Sequence, residues 1–236
     1  MARTPPSIRA KIWGVRMRVC HSFIAAVAAF TLFSTPAHGQ DKPSDLETAR
    51  ELLNAGKADE SLALVNPIIE RAMLKEAKDP TAVCPGVAVA VLQTFVKGDF
   101  SVSVENDWCE AMLVNGYALN ELKRPVEAEQ VLEALVRHDQ GNPQYLIEYA
   151  YTVRVNGKVE RSLDLYKKAE KLAAKLRARE SADHWRAVAL RGQGFAYSEL
   201  QRWDEAVKAY QRSLKYEPDS ELARNELQYI EQNRPH

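Results

Sequence analysis

Surplus charge is the first thing this chain lacks: its 236 residues carry 32 Lys and Arg against 32 Asp and Glu. Without a basic excess there is no electrostatic footprint for nucleic acid, and without an acidic run there is no charged tail. Glycine (10) and proline (11) are sparse, which argues against disorder between the ends. What remains, 46% hydrophobic and 27% charged, is a soluble globular balance with length for one elongated domain.

The N-terminal apolar run falls short of membrane-spanning length. "FIAAVAAFTLF" (23–33) has 11 residues, against the ~20 a spanning helix needs. Arg3, Arg9, Lys11, Arg16 and Arg18 precede it, and no acid occurs before Asp41. "STPAHGQ" follows, with Ala37 and Gly39 spaced like the small residues of a cleavage site. Together these read as a secretory signal peptide over 1–39, cut after Gly39 or, second, after Ala37. The start is left open between Met1 and Met17, the latter giving the more usual length. There is no twin Arg, and no Cys at the cut to accept lipid. Export is expected, with no membrane span after cleavage. The remaining 27 basic and 32 acidic side chains argue further against a nucleic-acid partner.

Cysteine is scarce as well. Cys20 leaves with the signal, and Cys84 and Cys109 remain as a lone pair in an oxidising compartment. A bridge between them is expected, contributing roughly 3–4 kcal/mol in the chain-entropy description. Two buried free thiols are the other reading.

What the chain does have is a repeat. "ALRGQGFAYSELQRWDEAVKAYQRSLKYEPDS" spaces Gly194, Tyr197, Ala206, Tyr210 and Pro218 as two helices joined by a short turn, 187–200 and 204–216. Gly194 and Ala206 are small where the backbones approach, and Tyr197 and Tyr210 fill the space beside them. Asp204 is the expected cap of the second helix, and Pro218 its stop. This stretch resembles the tetratricopeptide repeat family, whose 34-residue pattern runs W-x2-L-G-x2-Y, then A-x3-F, then P. Leu190 and Gln193 stand at its Trp and Leu places.

Stepping by 34 residues, 109–142 places Met112, Gly116, Leu119, Ala128 and Leu132 at the corresponding positions, and 143–176 places Leu146, Ala150, Val153, Ser162 and Tyr166. A fainter copy, 42–75, has Ala49, Leu52, Ser61 and Val65, and "NAGKADES" and "VNGKVERS" supply turns. Two stretches break the register. Residues 177–186 read as an overlong second helix, with Ser181 or Asp183 capping the next one. Residues 76–108 hold an extra helix from Pro85 to Lys97, then an alternating stretch, "DFSVSVEND". After Ser220, "ELARNELQYIEQ" (221–232) is an amphipathic closing helix whose Leu222, Leu227 and Ile230 cover the end of the stack. The resemblance therefore implies an all-α solenoid of helical hairpins over 40–236, with one inserted helix, a C-terminal capping helix and a concave face lined by the first helix of each pair.

In this family the place after the small Gly/Ala faces the groove. Here it holds Tyr117, Tyr151 and Phe195, with Arg50 in the first copy. Three residues on stand Asn120, Arg154 and Ser198, and Glu148 and Arg191 share the face. As a ligand-binding set these eight suit an extended peptide or amphipathic segment, with aromatics for rigid contact and Arg as anchor. The same rings can equally pack between first helices as core. The family's carboxylate clamp is not expected, because Tyr117 and Tyr151 stand where it wants Asn.

Catalytic groups are lacking. His138, His184 and His236 have no metal-ligand spacing, so no metal or cofactor is expected. Ser181, Asp183 and His184 are sequence neighbours, which do not make a triad. "GQG" (192–194) follows no strand and is not a phosphate loop. The expected function is a non-enzymatic protein- or peptide-binding scaffold, in the bacterial periplasm given the signal and the family's habits. A second reading is an assembly component that docks or self-associates through its extra or closing helix. A third is a thiol enzyme using Cys109 near a helix start.

Overall fold

Four helical hairpins and a closing helix make up the described residues, 44–76 and 107–234, of a computed structural model. The signal segment, the extra helix at 85–97, the stretch from 99 to 106 and Cys84 lie outside them. The pairs are α1 (Asp45–Asn54) with α2 (Ala58–Glu76), α3 (Asp107–Glu121) with α4 (Pro125–His138), α5 (Pro143–Val155) with α6 (Val159–Ala173), and α7 (Arg179–Glu199) with α8 (Trp203–Ser213). α9 (Glu221–Asn233) closes the array. No strand occurs among the described residues. Each helix packs on its successor, and the first helices also meet directly, α1 on α3 and α5 on α7.

Small residues set the hairpin spacing, as their periodicity implies. Ala49, Ala150, Ser61, Ala128, Ser162 and Ala206 are all fully buried. Ser61 Oγ donates to the Ala49 carbonyl across its hairpin at 2.8 Å. A methyl on Gly116 would fall 2.6 Å from Leu132, and one on Gly194 2.5 Å from the Tyr210 ring. Gly192 adds a contact no hairpin pattern announces: its methyl would lie 2.2 Å from the ring of Tyr166, in the preceding hairpin. The "GQG" glycines are thus seats for two tyrosines, one on each side of α7. Around these approaches the core continues from Leu46, Leu62, Val65 and Val114, through Met112, Leu132, Leu146, Val153 and Tyr166, to Tyr210, Ala223 and Ile230. Each such aliphatic side chain contributes about 1.5–3 kcal/mol when removed from water.

Helix ends differ in part from expectation. Ser44, Asn142 and Ser220 cap α1, α5 and α9 with side-chain oxygens. Asp204 does not cap α8. It lies in the first turn, where a carboxylate complements the helix dipole, and Arg202 takes the cap position without a side-chain bond. Instead Arg202 pairs with Glu205 at 2.7 Å, and Arg124 with Glu127 at 2.7 Å in the same place two hairpins earlier. Nor do Ser181 and Asp183 cap a helix. The ten extra residues do not lengthen α6, which ends at Ala173, but extend the start of α7 by about two turns.

All four hairpin turns use one left-handed residue, two places before the second helix: Gly56 (φ 77°), Lys123 (φ 61°), Gly157 (φ 79°) and Gln201 (φ 58°). An L side chain in this region costs roughly 1–2 kcal/mol, and glycine's extra unfolded-state freedom offsets up to about 1 kcal/mol of its removal. Lys123→Gly and Gln201→Gly should each therefore stabilise the fold by about 0.5–1 kcal/mol. A raised urea midpoint at unchanged slope is the readout.

Candidate functional site

The candidate residues stand on the first helices, and the array wires most of them to one another. From the N-terminal end, Arg50 on α1 forms an ion pair with Glu110 on α3. Glu110 also accepts a hydrogen bond from the Tyr145 hydroxyl on α5 at 3.1 Å. Tyr117 hydrogen-bonds Glu148 across the same helices. Asn120 Nδ2 donates to Thr152 Oγ1 at 2.8 Å. The last three of these bridges span α3 and α5, whose backbones approach less closely than those of α1 and α3 or of α5 and α7.

The next junction is cation-centred. Arg154, with its side chain 15% exposed, forms an ion pair with Glu199 on α7. Its guanidinium carbon lies 5.5 Å from the centroids of both Tyr151 and Phe195. A guanidinium between two rings gains cation–π attraction from each. Phe195 in turn meets Tyr210 edge-on, centroids 5.7 Å apart. Ser198 neighbours the Tyr210 hydroxyl, whose pKa burial pushes well above the phenol range.

Arg191 is not part of this group. It reaches Glu217, just beyond α8, at 2.5 Å, and His184 Nδ1 meets the other oxygen of that carboxylate at 2.6 Å. Burial opposes ionisation of Glu217, but His184 and Arg191 outweigh it and hold the carboxyl below its usual range. Arg191 thus anchors the approach to α9 and does not project as a free groove cation.

The predicted set therefore falls into Tyr117 with Glu148, Tyr151 with Arg154 and Phe195, and Asn120 with Thr152, while Ser198 sits beside Tyr210 and Arg191 stands apart. Glu110, Tyr145, Glu199 and Glu217 were missed. Glu110 and Glu199 had one available signal, an acid on a first helix adjacent to the helix carrying Arg50 or Arg154.

The three rings are partly buried, whereas Ala118, Thr152 and Ala196, each one residue further on, are fully buried. Glu148 is 8% exposed, and burial raises its pKa to about 8, against the Tyr117 hydrogen bond that favours the anion. Burial, followed by the Glu148 charge, lifts the Tyr117 hydroxyl well above the ordinary phenol value.

The residues considered for catalysis do not converge. Cys109 is 3% exposed in the first turn of α3. His138 packs on Trp108, centroids 4.4 Å apart. Asp183 faces Arg179, and His184 faces Glu217. Among the described residues no three His, Cys, Asp or Glu side chains are grouped to hold a metal ion, and no helix is long and apolar enough to cross a membrane.

Comparison with known proteins places this geometry. A profile of the tetratricopeptide repeat matches residues 187–220. No curated protein matches the sequence. Nearly identical TPR-like repeats from Podosopora anserina, described as from a kinesin light chain, are 17% identical, with 80% of this chain and 84% of that one covered at a TM-score of 0.52. Their Q17M variant gives 0.53 at the same identity and coverage. YrrB, a TPR protein with an unusual peptide-binding site, is 16% identical, with 77% and 89% covered at a TM-score of 0.43. At these identities the likeness concerns the fold alone. The fourth hairpin carries the match to the tetratricopeptide repeat, and the array around it has the all-α fold of a tetratricopeptide-type helical solenoid.

Proposed function

We propose that the chain is a non-enzymatic scaffold of the bacterial cell envelope that holds a peptide or protein segment on the face formed by α1, α3, α5 and α7, the concave face of such an array. One observation carries the reading. Tyr117, Tyr151 and Phe195 recur at one place in three successive hairpins and keep part of their surface open, while their immediate neighbours are sealed. Rigid aromatics with part of a ring available are the usual anchors of a protein interface. The envelope location rests on the signal-like segment 1–39, and with it goes the proposed Cys84–Cys109 bridge. In that bridge Cys109 would have no thiolate to act as a nucleophile.

The test keeps the core bulk that these rings supply. A triple variant, Tyr117→Leu, Tyr151→Leu and Phe195→Leu, should fold yet lose partner capture from envelope extract by about 30-fold or more, the scale of a hot-spot cluster. Undiminished capture by the folded variant would remove the rings from the interface.

A second reading has one observation in its favour. Tyr229 on α9 is 43% exposed, a large apolar side chain on the closing helix available for assembly with a partner or a second copy. Deleting α9 is a poor test, because Ala223 and Ile230 belong to the core. Tyr229→Ser is the cleaner variant: loss of association there, with the ring variant still active, favours this reading.

A further inference from the structure

Most of the carboxylates buried or half-buried along this array have basic partners; the half-buried Asp139 and Glu226 form no ion pair among the described residues, and neither does the buried Glu148. Glu129 takes Lys158 at 2.8 Å, Glu217 takes His184 and Arg191, Glu170 takes Arg212, and Glu199 takes Arg154. Glu148 is more completely buried than any of these, yet among the described residues its carboxyl meets the Tyr117 hydroxyl and no Lys, Arg or His. The neighbouring elements supply phenols and further acids. α3 contributes Tyr117 and Glu110, α6 contributes Tyr166, and Tyr145 and Tyr151 flank Glu148 on α5 itself. α4 spends Glu129 and Glu133 on Lys158, Arg161 and Tyr149, and α7 directs Glu199 at Arg154. A buried carboxyl costs several kcal/mol if it ionises without a cation.

We propose that Glu148 is the seat of a cationic side chain, a Lys or Arg of the bound segment, with the Tyr117 and Tyr151 rings as its aromatic walls. This rests on the groove reading above and gives the partner a required chemistry. Charge complementarity selects the occupant: among the described residues the site offers a carboxyl without a cation, and ring faces attract the same charge. The incoming ammonium or guanidinium replaces the Tyr117 hydroxyl as the carboxyl's partner. Because burial keeps Glu148 protonated at neutral pH, binding must also expel its proton to solvent. The neutral acid becomes a carboxylate paired with the cation, and one proton leaves per site filled.

The full chain titrated with capped deca-lysine, with capped deca-glutamate as control, tests this by calorimetry in two buffers of different ionisation enthalpy. Deca-lysine should bind and deca-glutamate should not. Affinity should rise toward about tenfold per pH unit between pH 6 and 7, with about one proton released. Glu148→Gln, which mimics the protonated acid, should weaken binding at least about tenfold and abolish the proton release. Glu221→Gln, which removes an exposed charge on α9, should change affinity less than about twofold. Equal losses in the two variants, or binding without proton release, overturn the proposal in favour of general attraction to an acidic surface. Should Glu148→Gln fail to fold, Tyr117→Phe keeps the ring and removes the hydroxyl that favours the anion. It must shift proton release to higher pH, and no shift overturns the proposal equally. If the triple leucine variant loses deca-lysine while Glu148→Gln keeps it, the groove reading stands and the cation seat falls.

Discussion

Tyr210→Ala is expected to cost about 3–5 kcal/mol, the range for deleting a large buried ring, and to release the closing helix from the array. The ring is fully buried. It lies over Gly194 so closely that even a methyl there would collide with it, and it meets Phe195 edge-on. Its cluster holds Ala206, Ala223 and Ile230 from α8 and α9. Gly194 has no side chain to move into the vacated space, and Ala206 and Ala223 have only methyls, so the cavity cannot collapse cheaply. Tyr210→Phe keeps the ring and removes a buried hydroxyl with no hydrogen-bond partner among the described residues, so it should change stability by less than about 1 kcal/mol. Urea unfolding gives the first number, and faster amide exchange across 221–233 in the alanine variant alone checks that α9 detaches. An alanine variant as stable as the wild type would mean that the fourth hairpin does not depend on ring-against-glycine packing.

Stability should also fall as pH rises from about 4.5 to about 8, and Glu148→Gln should flatten that decline. The folded protein holds the Glu148 carboxyl protonated up to about 8, whereas in the unfolded chain it ionises near its ordinary value of 4.5. The native state is the one that binds the extra proton, so its advantage is complete below the unfolded pKa and is lost on the way up to the folded one. The 3.5 units between these values correspond to about 5 kcal/mol as an upper bound. Glu129 and Glu217 act in the opposite sense. Burial opposes their ionisation but is outweighed, by Lys158 and Asn156 for Glu129 and by His184 and Arg191 for Glu217. Their contribution is present above the unfolded carboxylate pKa and disappears as pH falls through their depressed folded values. The wild type should therefore be most stable in mildly acid solution, and the Gln variant should keep its acid limb with a shallower decline toward pH 8, because burial raises Glu226 as well. Melting temperatures measured from pH 4 to pH 9 decide it, and parallel curves for the two proteins would contradict the assignment.

The hairpins were legible because backbone approach demands small residues at fixed intervals. Gly116, Ala150, Gly194, Ala128, Ser162 and Ala206 report that demand directly, and rings such as Tyr210 report the space left beside them. Left-handed turn positions were visible only where glycine marks them. Gly56 and Gly157 do, whereas Lys123 and Gln201 adopt the same conformation without such a sign. Asp204 was misassigned because an acid near a helix start serves equally as cap or as first-turn charge, and its sequence neighbourhood is the same in both roles. The wiring of the first-helix face was the least legible part. Arg154 and Glu199 are 45 residues apart, and nothing local in either segment specifies the other. The eight candidate residues were placed on one face by the repeat register that the family resemblance implies, which identifies a helix face but not which side chains on it are already spoken for. Arg191 shows the difference, since its partner Glu217 lies past the end of the repeat's own second helix.

The most direct test of a binding face on the first helices is amide hydrogen exchange of the full chain, alone and with the partner recovered by capture. Slower exchange should concentrate in α3, α5 and α7, around 117–120, 148–154 and 195–198. Protection confined to the second helices or to 221–233, with those three segments unchanged, would contradict it.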